Sequence, residues 1–167
     1  MIKITNELSN EEYGSIFFEI DDIERWDNLV RFTQILIDDF KLNNLMKIEE
    51  CQVKCESGFD MNPSMVFFND ENDLDNSDEI FSINDFEKVF KENEKIKSEF
   101  NEENNPEIEL VLLNEEKNIR TDLDIYNDEN SKKVRGRFMY DLDQANMVKQ
   151  IILNALESAD KKYNTGK

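Results

Sequence analysis

The chain has 167 residues and no histidine. Its formal charge is −19, because it has 39 acidic side chains and only 20 basic ones. The length suits one domain spanning residues 1–167, and the 38% of hydrophobic residues can build a core. Without histidine, Ser-His-Asp and Cys-His catalysis are excluded, as are zinc and haem sites that need histidine. The four glycines stand apart in sequence, which excludes a glycine-rich phosphate-binding loop.

Features of membrane and secreted proteins are missing from the sequence. No apolar run approaches the 18 or so residues that a membrane span needs. Residues Met1–Glu7 lack the apolar centre and the small-residue cleavage site of a secretory signal. We therefore expect a cytoplasmic protein without membrane contact.

The two cysteines, Cys51 and Cys55, lie in a segment of alternating apolar and polar residues. Four residues of a strand span about 13 Å, which is too far for a disulfide. Two thiols without further soft ligands also fall short of a four-ligand zinc site. We expect two reduced thiols on one strand face, with no cofactor and no metal.

Three segments repeat apolar residues every three or four positions, as amphipathic helices do. The first predicted helix runs from about Ile23 to Phe40 after a cap at Asp21. The second follows a cap at Asn84 and ends before Asn104, and the third follows a cap at Asp141. In the last helix, Gln144 stands where a capping box returns its hydrogen bond. The residues 164–167 are expected to fray.

Between the helices, eight runs have the composition or alternation of strands. They begin near Ile2, Ile16, Ile48, Met65, Ile80, Ile108, Thr121 and Val134, and the Ile80 run has the weakest pattern. The order is ββ-α-βββ-α-βββ-α. Short connections between strands favour an antiparallel sheet with helices on one face, which is an α+β domain.

The apolar residues of these elements predict the core. Trp26, Val30, Ile37, Phe86, Phe90, Ile151 and Leu156 should be buried on the helices, with Phe18, Val53, Leu110 and Leu112 on the covered face of the sheet.

A basic segment, residues 132–137, suggests phosphate contact at first sight. A hairpin offers another explanation, because one register places apolar residues opposite each other and acids opposite bases. The predicted pairs are Ile125–Val134, Asp124–Arg135 and Asp122–Arg137. These arginines would then be neutralised within the sheet, so we expect no direct nucleic-acid binding.

Negative charge is concentrated in the middle of the chain. Residues 70–129 carry 21 acids and 6 bases, whereas residues 130–167 carry 4 acids and 8 bases. The densest stretch is an acidic loop at 69–79, with six carboxylates in eleven residues. A calcium-binding loop starting at Asp73 would need glycine where Asp78 stands and glutamate where Asn84 stands, which argues against one.

A metal-dependent hydrolase is a remote alternative, because clustered carboxylates bind magnesium. Glu115, Glu116 and Lys117 form an acid-x-lysine triplet, with Glu107 and Glu109 upstream. The triplet falls in a polar segment typical of a turn. A nuclease also needs a positive surface for its substrate, which a charge of −19 opposes.

The sequence therefore favours a non-enzymatic, acidic protein-binding inhibitor. Such a protein, for example an immunity protein, an antitoxin or a phage blocker with DNA-like charge, would neutralise a basic partner such as a nuclease or toxin. Fifteen lysines against five arginines suggest an AT-rich bacterial or phage genome. The alternative is an adaptor or assembly subunit that binds through an apolar face. The partner's identity and the oligomeric state stay open.

Carboxylates without a local counterion define the predicted docking site, with nearby aromatic residues as desolvated anchors. The predicted partner-binding residues are Asp70, Glu71, Asp73, Asp75, Asp78, Glu79, Glu102, Glu103, Glu107, Phe67, Phe68 and Phe81.

Overall fold

The computed structural model describes residues 2–20, 26–42, 47–56, 63–69, 80–83, 86–100, 107–128 and 133–165. They form a single α+β domain, as the sequence predicts. The strands are β1 (Ile2–Ser9), β2 (Tyr13–Ile20), β3 (Lys47–Glu56), β4 (Pro63–Asn69), β5 (Ile80–Ser82), β6 (Glu107–Asn114), β7 (Ile119–Asp128) and β8 (Lys133–Asp141). The helices are α1 (Trp26–Leu42), α2 (Phe86–Glu92), α3 (Glu94–Glu99) and α4 (Ala145–Thr165), and a 3₁₀ turn (Leu142–Gln144) precedes α4.

All eight strands belong to one sheet, in the order β1-β2-β8-β7-β6-β3-β4-β5. Neighbouring strands are antiparallel except β4 and β5, which are parallel. The predicted, mainly antiparallel sheet is thus confirmed, and the Ile80 run forms its short edge strand. Turn chemistry explains the first hairpin, because the Asn10 side chain accepts hydrogen bonds from the backbone of Glu12 and Tyr13.

Alternate residues of the strands face two different environments. In β2, β6 and β8, every second residue is buried and the others are half-buried or exposed. The helices form the layer over the buried face, where α1 packs against both α4 and α2. We call the opposite side the open face, because no described helix covers it. Its residues include Phe17, Glu19, Gln52, Lys54, Glu107, Glu109, Val111, Asp122, Asp124, Tyr126, Arg135, Arg137 and Met139.

The core lies between the sheet and the helix layer. Every predicted core residue whose side chain is described is buried: Val30, Ile37, Phe86, Phe90, Ile151, Leu156, Phe18, Val53, Leu110 and Leu112. The Trp26 side chain lies outside the described set. Cys51 is buried on β3, and Cys55 lies further along the same strand, although the Cys55 side chain is not described.

The predicted second helix is two helices. Asn93 adopts an extended conformation between α2 and α3, and its side-chain oxygen accepts a hydrogen bond from the Ile96 amide at 3.2 Å. Asparagine competes for backbone bonds within a helix and favours the position before its first turn. The break lets Phe90, Ile96 and Phe100 all reach the core. The predicted cap at Asn84 lies outside the described residues, as does the cap at Asp21.

The start of the last helix also differs from the prediction. The Asp141 side chain makes no capping hydrogen bond to the 3₁₀ turn that precedes α4. Instead of completing a capping box, the Gln144 side chain donates to the carbonyl of Asn118, in the turn between β6 and β7. Tertiary contact has replaced the local bond. α4 continues to Thr165, and residues 166–167 lie outside the described part of the chain.

The β7–β8 hairpin forms as predicted, but its register is shifted by two residues. Ile125 lies opposite Gly136 rather than Val134, and Asp124 lies opposite Arg137. A two-residue shift leaves every side chain on its predicted face. Gly136 also lies opposite Phe18 on β2, where a Cβ atom would be 2.0 Å from Cζ of Phe18. The glycine therefore marks the place where the Phe18 ring crosses β8.

Candidate functional site

Three carboxylates meet near the middle of the open face. Glu107 and Glu109 are two residues apart on β6, so they point to the same side of the sheet. Asp124 lies opposite Glu109 on β7. One oxygen from each of the three lies within 4.8 Å of the others. We call Glu107, Glu109 and Asp124 the acidic cluster.

Side chains from the flanking strands hold two members of this cluster. Lys54 Nζ on β3 forms an ion pair with Glu109 at 2.8 Å, and Gln52 Nε2 donates to the same carboxylate. On the other side, Arg137 donates to Asp124 at 2.9 Å. The hydrogen bond to Glu109 is also the main reason why the pKa of Lys54 is raised above 10.5. Glu109 and Asp124 are therefore fixed in position and neutralised within the domain.

Glu107 differs from its two neighbours. Its carboxylate forms no hydrogen bond and no ion pair with any residue that the structure describes. Partial burial raises the pKa of Glu107 above its ordinary value of 4.5, and the negative charges of Glu109 and Asp124 add to this effect. Lys54 and Arg137 only partly offset it. Glu107 is the carboxylate of the cluster that is least compensated.

The residues beside Glu107 form a row across the sheet. Tyr126 on β7 lies directly opposite Glu107, Arg135 lies opposite Tyr126, and Glu19 lies opposite Arg135. On the other side of Glu107 the ladder neighbour is Lys54. Both cations of the row bind other carboxylates, since Lys54 pairs with Glu109 and Arg135 with Glu19 at 3.3 Å.

The cations of β8 form ion pairs within the sheet, although with partners other than those predicted. Lys133 and Arg135 both pair with Glu19 of β2, whereas the sequence placed Asp124 opposite Arg135. Arg137 takes Asp124 instead of Asp122, and Asp122 pairs with Arg120 at 3.4 Å. The prediction overlooked β2, because no local pattern shows that β2 lies beside β8.

The acidic cluster has the donor chemistry of a divalent-cation site, since carboxylate oxygens are the ligands that Mg²⁺ and Ca²⁺ prefer. A metal ion at the cluster would compete with Lys54 for Glu109 and with Arg137 for Asp124. The arrangement is therefore that of a charged, hydrogen-bonded surface in which two carboxylates already have cations.

The acid-x-lysine triplet lies elsewhere. Glu115, Glu116 and Lys117 occupy the exposed turn between β6 and β7, as the sequence suggested. Asn118 closes this turn with a φ of 52°, a conformation that asparagine tolerates better than most residues. The triplet does not join Glu107 and Glu109 in one site.

Most of the predicted docking acids fall outside the described residues. These are Asp70, Glu71, Asp73, Asp75, Asp78, Glu79, Glu102 and Glu103. Glu107 is described and belongs to the acidic cluster. The residues that join it there, Glu109 and Asp124, were not among the predicted site residues. Their alternation with apolar residues on adjacent strands was the available signal.

The predicted aromatic anchors need one correction. Phe68 is fully buried under α2, with its ring centroid 4.9 Å from that of Phe86 and 5.6 Å from that of Phe90. It is a core residue, and the prediction that it anchors a partner is wrong. Phe67 and Phe81 lie on β4 and β5, paired with Gln52 and Phe68 in the ladder, and their side chains are not described.

The most exposed apolar side chains lie away from the acidic cluster. Among the described residues, the large hydrophobic side chains with the greatest exposure are Ile4, Leu8, Tyr13 and Met147, at 40–54%. Ile4, Leu8 and Tyr13 belong to the β1–β2 hairpin at one edge of the sheet. Met147 lies in the first turn of α4 and is 46% exposed.

Comparison with known proteins gives no family for this fold. No protein-family model, no curated protein and no solved structure matches the chain. None of the described helices combines the length and the apolar character that crossing a membrane requires.

Proposed function

We propose that the protein is a non-enzymatic inhibitor that binds and neutralises a basic protein, such as a nuclease, a toxin or another effector that acts on nucleic acid. The observation that carries this proposal is the excess of carboxylates over cations. Even if every one of the 20 basic side chains paired with its own carboxylate, 19 acids would have no cation in the chain. An excess of this size favours fast, salt-dependent association with cationic surfaces.

Ion pairing within the domain supports the same proposal. Lysines and arginines of the described strands and helices are used to hold local carboxylates, as in Lys91–Glu87 and Lys162–Asp39. The Asp39 carboxylate is almost fully buried between α1 and α4. These cations form contacts within the domain, so the excess negative charge lies on carboxylates without an internal partner. A basic partner supplies the missing counterions.

The test is affinity capture of the partner from cells of the native host, with the tagged full-length chain as bait and elution by a salt gradient. We expect a basic protein that is released by moderate salt and whose activity is inhibited by an equimolar amount of the chain. A neutral or acidic partner that resists high salt would contradict the proposal.

A second candidate function is an adaptor that binds through apolar contacts. The exposed Ile4, Leu8 and Tyr13 on one hairpin favour it. Changing Leu8 and Tyr13 to serine would weaken such an adaptor strongly at any salt concentration. The same change would have little effect on an inhibitor that docks through carboxylates.

A further inference from the structure

We propose that the open face around Glu107 and Tyr126 is the surface on which a cationic protein partner docks, with an arginine or lysine of that partner bound between the two side chains. This inference rests on the proposed function, because it assumes a basic protein partner. It assigns the contact to the sheet, whereas the sequence alone placed most of it in the acidic loop.

The first argument is exposure of the sheet. Half-buried side chains line the side of β2, β3, β6, β7 and β8 opposite the helix layer, and no described helix packs there. This surface mixes charged groups with Phe17, Val111, Tyr126 and Met139. Protein interfaces combine polar and apolar groups in this way, with aromatic residues enriched near the centre. The face therefore suits a protein partner.

Charge complementarity identifies the partner's chemistry. Glu107 has no ion pair with a described residue, and burial together with Glu109 and Asp124 makes its negative charge unfavourable. The two cations of its row are already bonded to Glu109 and Glu19, and Lys54 offsets the charge of Glu107 only in part. A cation brought by a partner is attracted most by Glu107. Glu109 and Asp124 attract it more weakly, because each already has a cation.

The ladder gives the cation a second contact. Residues directly opposite in an antiparallel pair have Cβ atoms about 4.5–5.5 Å apart. Because Glu107 and Tyr126 are such a pair, a guanidinium or ammonium group that bonds the Glu107 carboxylate lies within reach of the Tyr126 ring. Cations bind over the faces of aromatic rings. A hydrated metal ion gains nothing from the ring, so the pair favours a side-chain cation.

The experiment is an NMR titration of the isotope-labelled full-length chain with a tetra-arginine peptide, in low salt and again at physiological salt. Five variants are compared with the wild type, and one of them, Tyr126→Phe, keeps the aromatic ring. Glu107→Gln removes the charge of the proposed contact, and Tyr126→Thr removes its ring while keeping a residue that favours strands. Glu115→Gln removes the same charge from the exposed turn, and D73K/D75K/D78K reverses the acidic loop. Thermal unfolding by circular dichroism verifies that each variant is folded.

We expect backbone shifts centred on β6 and β7, with affinity about fivefold weaker in Glu107→Gln and in Tyr126→Thr. Glu115→Gln should stay within about 1.5-fold of the wild type, because solvent screens exposed charges. Tyr126→Phe should bind as the wild type does, since the ring is kept. This combination supports docking on the open face.

Other outcomes separate the two proposals. If Glu107→Gln and Glu115→Gln weaken binding equally, binding follows net charge, and the open-face inference is wrong while the inhibitor proposal stands. The same conclusion follows if the loop triple variant alone abolishes binding. If the wild-type chain does not bind the peptide even in low salt, the open-face inference fails. A neutral, salt-resistant partner in the affinity capture would overturn the inhibitor proposal separately.

Discussion

The two faces of the sheet are made from alternate residues of the same strands, yet their side chains make different kinds of contact. On the covered face, Phe68 packs among aromatic rings of α2, and residues such as Phe18 and Leu110 are removed from water. On the open face, neighbouring strands contribute ion pairs such as Arg137–Asp124 and Lys54–Glu109, and these remain partly solvated.

This difference indicates what each face contributes. Burial of large apolar side chains stabilises a fold by several kcal/mol per residue, whereas partly exposed ion pairs contribute about 0–1 kcal/mol each. The covered face therefore determines whether the domain folds. The ion pairs of the open face contribute less to stability than the covered face does, so substitutions among them are better tolerated.

The largest effect is expected from Phe90→Ala. Phe90 is 4% exposed and lies within 6.2 Å of the ring centroids of Phe86, Phe68 and Phe100. Truncation should lower the free energy of unfolding by about 3–5 kcal/mol in denaturant titration. Phe17→Ala on the open face is the matched control and should cost less than half as much. A loss below about 1 kcal/mol for Phe90→Ala would mean that α2 does not pack as described.

Gly136→Ala should have the next largest effect. The added methyl group would lie 2.0 Å from Phe18 Cζ, and Phe18 is only 1% exposed, so the ring has no free space to enter. We expect a loss of about 1–3 kcal/mol in denaturant unfolding. In the Phe18→Leu background the same change should cost clearly less, because the smaller side chain leaves room. Equal costs in both backgrounds would show that the two residues are not coupled.

Glu107→Gln should have a small, pH-dependent effect on the free energy of unfolding, and it should stabilise the domain where the two preceding substitutions destabilise it. The pKa of Glu107 is raised in the folded state, so the folded state holds this proton more tightly than the unfolded chain does. The resulting contribution to the stability of the wild type is fully present below pH 4.5 and is lost as the pH rises through the folded pKa. The variant should be more stable than the wild type at neutral pH, by at most about 0.5 kcal/mol because solvent screens the charge. The difference should disappear below pH 4.5.

The matched control for this pH profile is Glu115→Gln, in the exposed turn. Its difference from the wild type should be close to zero across the range. If Glu107→Gln were less stable than the wild type at neutral pH, the Glu107 carboxylate would have to be making a favourable contact, and the account of its charge would be wrong.

Divalent cations should have the smallest effect. Because Lys54 and Arg137 already neutralise Glu109 and Asp124, millimolar Mg²⁺ or Ca²⁺ should shift the melting temperature by less than about 1 °C. A saturable rise that Glu109→Gln abolishes and Glu115→Gln preserves would reveal a metal site at the acidic cluster. No metal-dependent hydrolase activity is expected from the purified chain.

Particular elements show how far the sequence predicts this protein. The eight strands and the positions of the helical segments follow from apolar periodicity, which depends only on residues close in the chain, whereas the break at Asn93 between α2 and α3 did not. The register of β7 on β8 did not follow from the sequence, because the prediction paired the arginines of β8 only with acids of β7. In the fold, Arg135 pairs with Glu19 of β2 and Arg137 pairs with Asp124. Phe68 was misassigned for a related reason, since alternation shows that one of two adjacent phenylalanines is buried and leaves open which one.

The sequence by itself determined the class of fold, the core and the surplus of negative charge, because these depend on composition and on local periodicity. The tertiary structure alone decided which charges meet. Glu107, Glu109 and Asp124 become a cluster only when β6 and β7 pair, and Lys54 and Arg137 reach it only because β3 and β8 flank them. Ion pairs and docking surfaces depend on contacts between distant parts of the chain, and strand order creates those contacts.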